Sequence, residues 1–153
     1  VSVLKVAKEP TLGSPEKLSA PELAQFVSYI DQIQFAGAQI NVLSIDGDEL
    51  KLFGDVYYVA TFDQALIQAN VEAAINNYLA NLDFDGRLLI NKLIDAVQAV
   101  EGVTDFYVTT SEAKNSVANV HNPFGRTYAP LSGYIFIDPT FPLSSGLTYN
   151  IAA

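Results

Sequence analysis

The sequence predicts an α+β fold in which helices cover one face of a mostly antiparallel sheet, in the order β-α-β-β-α-α-β-loop-β-β. Three segments repeat apolar residues at three- and four-residue spacing, which is typical of amphipathic helices. Other segments alternate apolar and polar residues or lie beside tight-turn signals, which is typical of strands and hairpins. With 153 residues, the chain is expected to form one domain, 1–153, large enough to bury a core.

The first quarter of the chain is predicted to contain a strand, a loop and a helix. Residues 1–8 alternate loosely, whereas residues 9–17 contain two prolines and a glycine and are predicted to be a loop. Ser19 is a favourable helix N-cap, and Gly37 is placed to end the helix. The predicted apolar face of this helix consists of Leu23, Phe26, Val27, Ile30 and Ile33.

A β-hairpin is predicted to follow this helix. Residues 38–45 alternate imperfectly, and residues 50–60 have the composition of a returning strand. Between them, Asp46-Gly47-Asp48 has the composition of a tight turn, because Asp-Gly tolerates the positive backbone dihedrals that such turns need. Gly54 within the second strand predicts a bulge or bend.

Two more helices and a strand are predicted for residues 63–110. Asp63 begins the first of these helices, Asn91 caps the second, and residues 103–110 alternate as a strand. Residues 88–90 form a short extended piece between the helices. The side chains expected to face the sheet are Ile75, Leu79, Leu93, Ile94, Val97 and Val100.

The composition changes after Ser111, so residues 111–153 are treated as a loop and strand extension of a core formed by residues 1–110. Residues 112–130 are polar and predict a long loop, and residues 134–137 and 147–151 predict two further strands. Aromatic residues are frequent at protein interfaces. The aromatic residues of this extension are therefore candidate interface residues: Tyr128, Tyr134, Phe136, Phe141 and Tyr149.

Composition excludes several classes of function. A net charge of −9 without a basic cluster argues against binding to nucleic acid or to anionic lipid. Cysteine is absent, which excludes disulfides and thiolate chemistry. No apolar run approaches the roughly 20 residues of a membrane-spanning helix. Methionine is absent even at position 1, so we expect the chain to be a processed or excised part of a longer polypeptide.

Two groups of residues are of types that could carry chemistry. Asp46, Asp48, Glu49 and Asp55 form the densest acidic group and could hold a divalent metal, but the sequence favours a hairpin turn without metal at Asp46-Gly47-Asp48. The single histidine, His121, lies in a polar segment and is predicted to be a solvated loop residue. No glycine-rich phosphate-binding motif occurs. We therefore expect no catalytic residues, no metal and no cofactor.

Residues 70–105 combine a helix, an Asp-Gly turn with a short strand, a second helix and a strand that begins Gly102-Val103-Thr104-Asp105. In order and composition this region resembles the carboxy-terminal region of baseplate J-like proteins, which form the wedge of contractile phage tails and related injection systems. The upstream residues 18–23 and 36–44 are similar to the helix and strand that precede this region in the family. The resemblance covers about residues 1–110.

The resemblance implies a structural and non-enzymatic role in a baseplate. Other baseplate or tail proteins would be the partners, in a homo- or hetero-oligomer, and the location would be a virion tail or injection-system particle assembled in the bacterial cytoplasm. Two alternatives stay open. One is a small metal-dependent enzyme centred on Asp46 and Asp48, and the other is a module that binds a peptide or ligand at an exposed sheet edge.

Overall fold

The computed structural model describes residues 1–153, and its elements confirm the α+β class. The helices are α1 (Ala20–Ile33), α2 (Gln64–Ala80), α3 (Ile90–Gln98) and α4 (Leu143–Gly146). The strands are β1 (Ser2–Lys5), β2 (Lys8–Thr11), β3 (Ser14–Glu16), β4 (Ile40–Leu43), β5 (Asp48–Tyr58), β6 (Leu88–Leu89), β7 (Val103–Lys114), β8 (Asn122–Phe124), β9 (Thr127–Tyr128), β10 (Ile135–Ile137) and β11 (Leu147–Ile151).

The central sheet is mixed, so the expectation of a mostly antiparallel sheet is only partly met. On one side β5 pairs antiparallel with β7, and β7 pairs antiparallel with β8. On its other side β5 pairs in parallel with β10 near its start and with β11 near its end. After β10 the chain leaves the edge of β5, forms α4, and returns to the same edge as β11. Strands β10 and β11 therefore run in the same direction along β5, like one interrupted strand.

The predicted hairpin across Asp46-Gly47-Asp48 is wrong. Strand β4 pairs in parallel with β1, with Ser2 opposite Ile40, and α1 forms the connection between these two strands. Strand β5 instead pairs within the central sheet. The Asp-Gly-Asp segment therefore links two sheets. Gly47 passes so close to the rings of Tyr134 and Phe136 that a β-carbon would lie 2.5 Å from each, which favours glycine here for lack of space.

The helix starts are set by local capping. Ser19 caps α1, and its hydroxyl and the Glu22 carboxylate form a reciprocal capping box. The Asp63 side chain accepts a hydrogen bond from the backbone N–H of Ala65 and caps α2 as predicted. The expected cap at Asn91 is wrong, because α3 already begins at Ile90 and has no side-chain cap.

One face of the sheet carries the core. Along β5 every second residue is buried, from Asp48 to Tyr58, as expected for a strand with one covered face. Helices α2 and α3 cover that face. The prediction for their inward side chains is confirmed for Leu93, Val97, Ile75 and Leu79, whereas Ile94 and Val100 are only partly buried against the same cluster.

Two segments predicted to be loops contain strands. Residues 9–17 include most of the antiparallel hairpin β2–β3, and residues 112–130 include the end of β7 and both β8 and β9. The bulge predicted at Gly54 is confirmed by a register shift between Phe53 and Gly54 in the pairing with β7.

Residues 1–45 contribute little to this core, since Ile30 is their only buried residue. The Lys5 ammonium ties the segment to the rest of the chain through the Asp85 carboxylate and the Pro130 carbonyl. Several of its apolar side chains are exposed, among them Val3, Leu12, Tyr29, Ile33 and Phe35.

Candidate functional site

A buried carboxylate at the start of β5 organises the segment that precedes β10. Asp48 is fully buried, and its carboxylate oxygens accept hydrogen bonds from the Tyr128 hydroxyl at 2.6 Å and the Leu131 N–H at 2.8 Å. The backbone N–H and hydroxyl of Ser132 also donate to it, at 3.1 and 2.8 Å. Burial, together with the Asp48 carboxylate, raises the pKa of Tyr128. Asp48 is thus a structural anchor for residues 128–132.

The structure does not bring Asp46 and Asp48 together as a metal site. The Asp46 carboxylate is exposed and pairs with the Lys17 ammonium at 2.7 Å, whereas the Asp48 oxygens already accept the four hydrogen bonds from the 128–132 segment. The carboxylates of this pair therefore have separate partners, and the alternative of an enzyme centred on them loses its geometric basis.

The prediction that His121 is a solvated loop residue is wrong. Only 14% of its side chain is exposed, and its Nε2 lies 2.8 Å from Oδ2 of Asp138, whose side chain is 1% exposed. The other oxygen of Asp138 accepts hydrogen bonds from the backbone N–H and the hydroxyl of Thr140. Burial acts to raise the pKa of Asp138, but the hydrogen bonds from Thr140 and His121 and the charge of Lys114 outweigh it and hold this pKa at about 2.

Two further charged residues adjoin this pair. Glu49 in β5 lies directly opposite Lys114 in β7, and Nζ of Lys114 is 2.8 Å from Oε2 of Glu49. The nearby Glu49 carboxylate raises the pKa of Lys114. One ligand atom each from Glu49, His121 and Asp138 lie within 4.8 Å of one another. Sequence reasoning missed this cluster, because its members are far apart along the chain and share no motif.

A groove of about 730 Å³ separates the β2–β3 hairpin from the end of α2 and the segment that leads into β10. Large apolar side chains with exposed surface line it: Leu12 is 92% exposed, Phe84 44% and Phe136 40%. Tyr134 also lines the groove, with its ring centroid 6.4 Å from that of Phe84. This is a concave surface with exposed aromatic residues.

The five candidate interface residues differ in their surroundings. Phe136 is exposed, whereas Tyr128, Tyr134, Phe141 and Tyr149 are half-buried. The Tyr134 hydroxyl donates to the Ile45 carbonyl at 3.0 Å, and burial followed by the negative charge of Asp46 raises the pKa of Tyr134 to about 12. Two of the five, Tyr134 and Phe136, line the groove.

Comparison with known protein families gives a match to the middle of the chain. None of the curated protein sequences matches this chain. The model of the Baseplate J-like protein C-terminal domain matches residues 56–122, which include the last three residues of β5, helices α2 and α3, and β7. These are the elements that form most of the buried core. The match supports the family resemblance seen in the sequence: residues 56–122 are similar to the C-terminal domain of baseplate J-like proteins.

Proposed function

We propose that this chain is a structural component of the baseplate of a contractile phage tail or injection system, and that it acts by binding other proteins and has no catalytic activity. The observation that carries the proposal is the match of residues 56–122 to the Baseplate J-like protein C-terminal domain. That family indicates a structural baseplate role and a phage-tail particle. None of the helices combines the length and the hydrophobicity that a membrane-spanning helix requires.

The partners in this proposal are other baseplate or tail proteins, in a homo- or hetero-oligomer that assembles in the bacterial cytoplasm. The net charge of −9 supports partners other than nucleic acid, because binding to phosphates requires a basic surface. The same charge favours a partner surface that carries basic residues around an apolar centre.

The contact surface in this proposal is the groove with Leu12, Phe84, Tyr134 and Phe136. Exposed aromatic and aliphatic side chains around a concave surface are typical of protein interfaces, where such a surface receives the anchor side chains of a partner. Phe136 is the candidate interface residue with the largest exposed fraction, and the other four support this region or the neighbouring sheet edge. A segment of a neighbouring baseplate subunit is the occupant we propose.

The test compares two pairs of matched variants for incorporation into contractile particles purified from the cells that produce them. Leu12→Asp and Phe136→Ser alter the groove, whereas Val117→Asp and Tyr107→Ser alter exposed residues of similar type outside it. We expect the tagged wild type and both controls in the particles, and the groove variants to be depleted although circular dichroism shows them folded.

Two outcomes would count against the proposal. Absence of the wild-type chain from the particles would contradict the baseplate role itself. Normal incorporation of both groove variants would place the contact surface elsewhere. The groove would then be explained better by the alternative function, a module that binds a peptide or ligand.

A further inference from the structure

We propose that Glu49, His121 and Asp138 form a binding site for a divalent transition-metal cation, with Zn²⁺ as the best-suited ion. The site does not depend on the baseplate role. It would join three segments that are distant in sequence: the start of β5, the residue before β8 and the residue after β10. A bound ion would fix the 115–121 loop to the central sheet.

The geometry of the cluster is close to that of a coordination shell. Its three ligand atoms lie within 4.8 Å of one another, and Nε2 of His121 is 2.8 Å from Oδ2 of Asp138. Two ligands that bind a tetrahedral zinc ion at about 2.1 Å stand roughly 3.4 Å apart. Small side-chain rotations would therefore bring the three atoms around one ion, with water as a fourth ligand.

The chemistry of the donors selects the class of ion. One imidazole nitrogen with two carboxylate oxygens suits zinc and its first-row neighbours, whereas calcium and magnesium prefer shells made of oxygen alone. Asp138 is held in place by Thr140, which is the kind of outer contact that orients a metal ligand.

Lys114 competes with the metal, because its ammonium already supplies positive charge beside Glu49. Metal binding must displace this ammonium, which can swing out since the side chain is partly exposed. Replacing Lys114 with glutamine should therefore raise the affinity for metal. A cluster whose role is only to form an internal ion network does not predict this increase.

The experiment is isothermal titration calorimetry of the full chain with Zn²⁺, supported by Co²⁺ absorption spectra, which report the coordination geometry. We expect one site in the wild type, tighter binding in Lys114→Gln, and at least roughly tenfold weaker binding in His121→Ala. Asp46→Asn is the matched control, because it removes a carboxylate outside the cluster and should bind as the wild type does.

A melting-temperature measurement keeps the test decisive if His121→Ala is less stable. Zn²⁺ should raise the melting temperature of the wild type and of Lys114→Gln, and should leave that of His121→Ala unchanged. Failure of both wild type and Lys114→Gln to bind Zn²⁺ overturns the proposal. Equal binding by His121→Ala also overturns it, because the ion would then sit on surface carboxylates.

Discussion

At the scale of single residues, one carboxylate illustrates how burial changes the role of an acidic side chain. Asp46 and Asp48 are two residues apart in a segment with a turn-like sequence, yet one is exposed and the other fully buried. Asp48 alternates with Leu50 and Leu52 on the covered face of β5. A buried charge is stable only with several hydrogen-bond donors, and the loop from Tyr128 to Ser132 supplies them.

Replacing Asp48 should therefore destabilise the protein strongly. Asp48→Ala leaves the Tyr128 hydroxyl and the N–H groups of Leu131 and Ser132 without an acceptor. Each buried group that loses its partner costs roughly 1–3 kcal/mol, so the free energy of unfolding should fall by at least about 3 kcal/mol. Urea denaturation followed by circular dichroism measures this change.

The matched control for that measurement is Asp46→Ala, which removes an exposed ion pair with Lys17. Exposed pairs contribute about 0–1 kcal/mol, so this variant should unfold nearly as the wild type does. Equal losses in the two variants would show that the hydrogen bonds to Asp48 do not stabilise the fold.

At the scale of elements, helix starts were predictable where a side chain sets them locally. Ser19 and Asp63 cap α1 and α2 with their own oxygens, so a few neighbouring residues carry the information. Helix α3 starts without a side-chain cap. Its start is set by the tertiary structure: Leu88 and Leu89 pair with β9, and the Ile90 N–H donates to the Arg126 carbonyl.

The capping box of α1 should make this helix sensitive to acid. Hydrogen bonds from Ser19 and the contact with Lys8 lower the pKa of Glu22 from 4.5 to about 2. Because the folded-state pKa lies below the unfolded one, the stabilisation is complete above about pH 4.5 and is lost as the pH falls towards 2. NMR titration of the Glu22 carboxyl carbon should show the low pKa.

The control is Glu22→Gln, which can still form the capping box but has no charge to lose. Over the same pH range its helix α1 should show less change in amide chemical shifts than the wild-type helix. A Glu22 pKa near 4.5 in the folded wild type would contradict the capping-box geometry.

At the scale of the whole molecule, the buried core and the first 45 residues differ sharply. The hydrophobic core cluster lies entirely between Leu50 and Leu147, whereas Ile30 is the only buried residue in 1–45. Local stability follows the number of buried apolar contacts around a segment. The single domain expected from the sequence is therefore predicted to unfold unevenly.

Hydrogen exchange followed by mass spectrometry tests this prediction. Amides of α1 and of the β1–β4 pair should exchange faster than those of α2 and of the centre of β5, because little apolar surface covers them. Uniform protection across both parts would instead show that residues 1–153 open as one cooperative unit.

The sequence by itself determined the α+β class, the order of the main elements, two helix caps, the inward faces of α2 and α3, and the family resemblance that the match over residues 56–122 supports. These features depend on side-chain spacing and capping within a short stretch of chain. Only the tertiary structure decided that β4 pairs with β1, that β10 and β11 lie parallel to β5, and that Glu49, His121 and Asp138 meet. Strand pairing joins residues far apart in the chain, and its partners are selected by the packing of the whole core, so no local pattern encodes them.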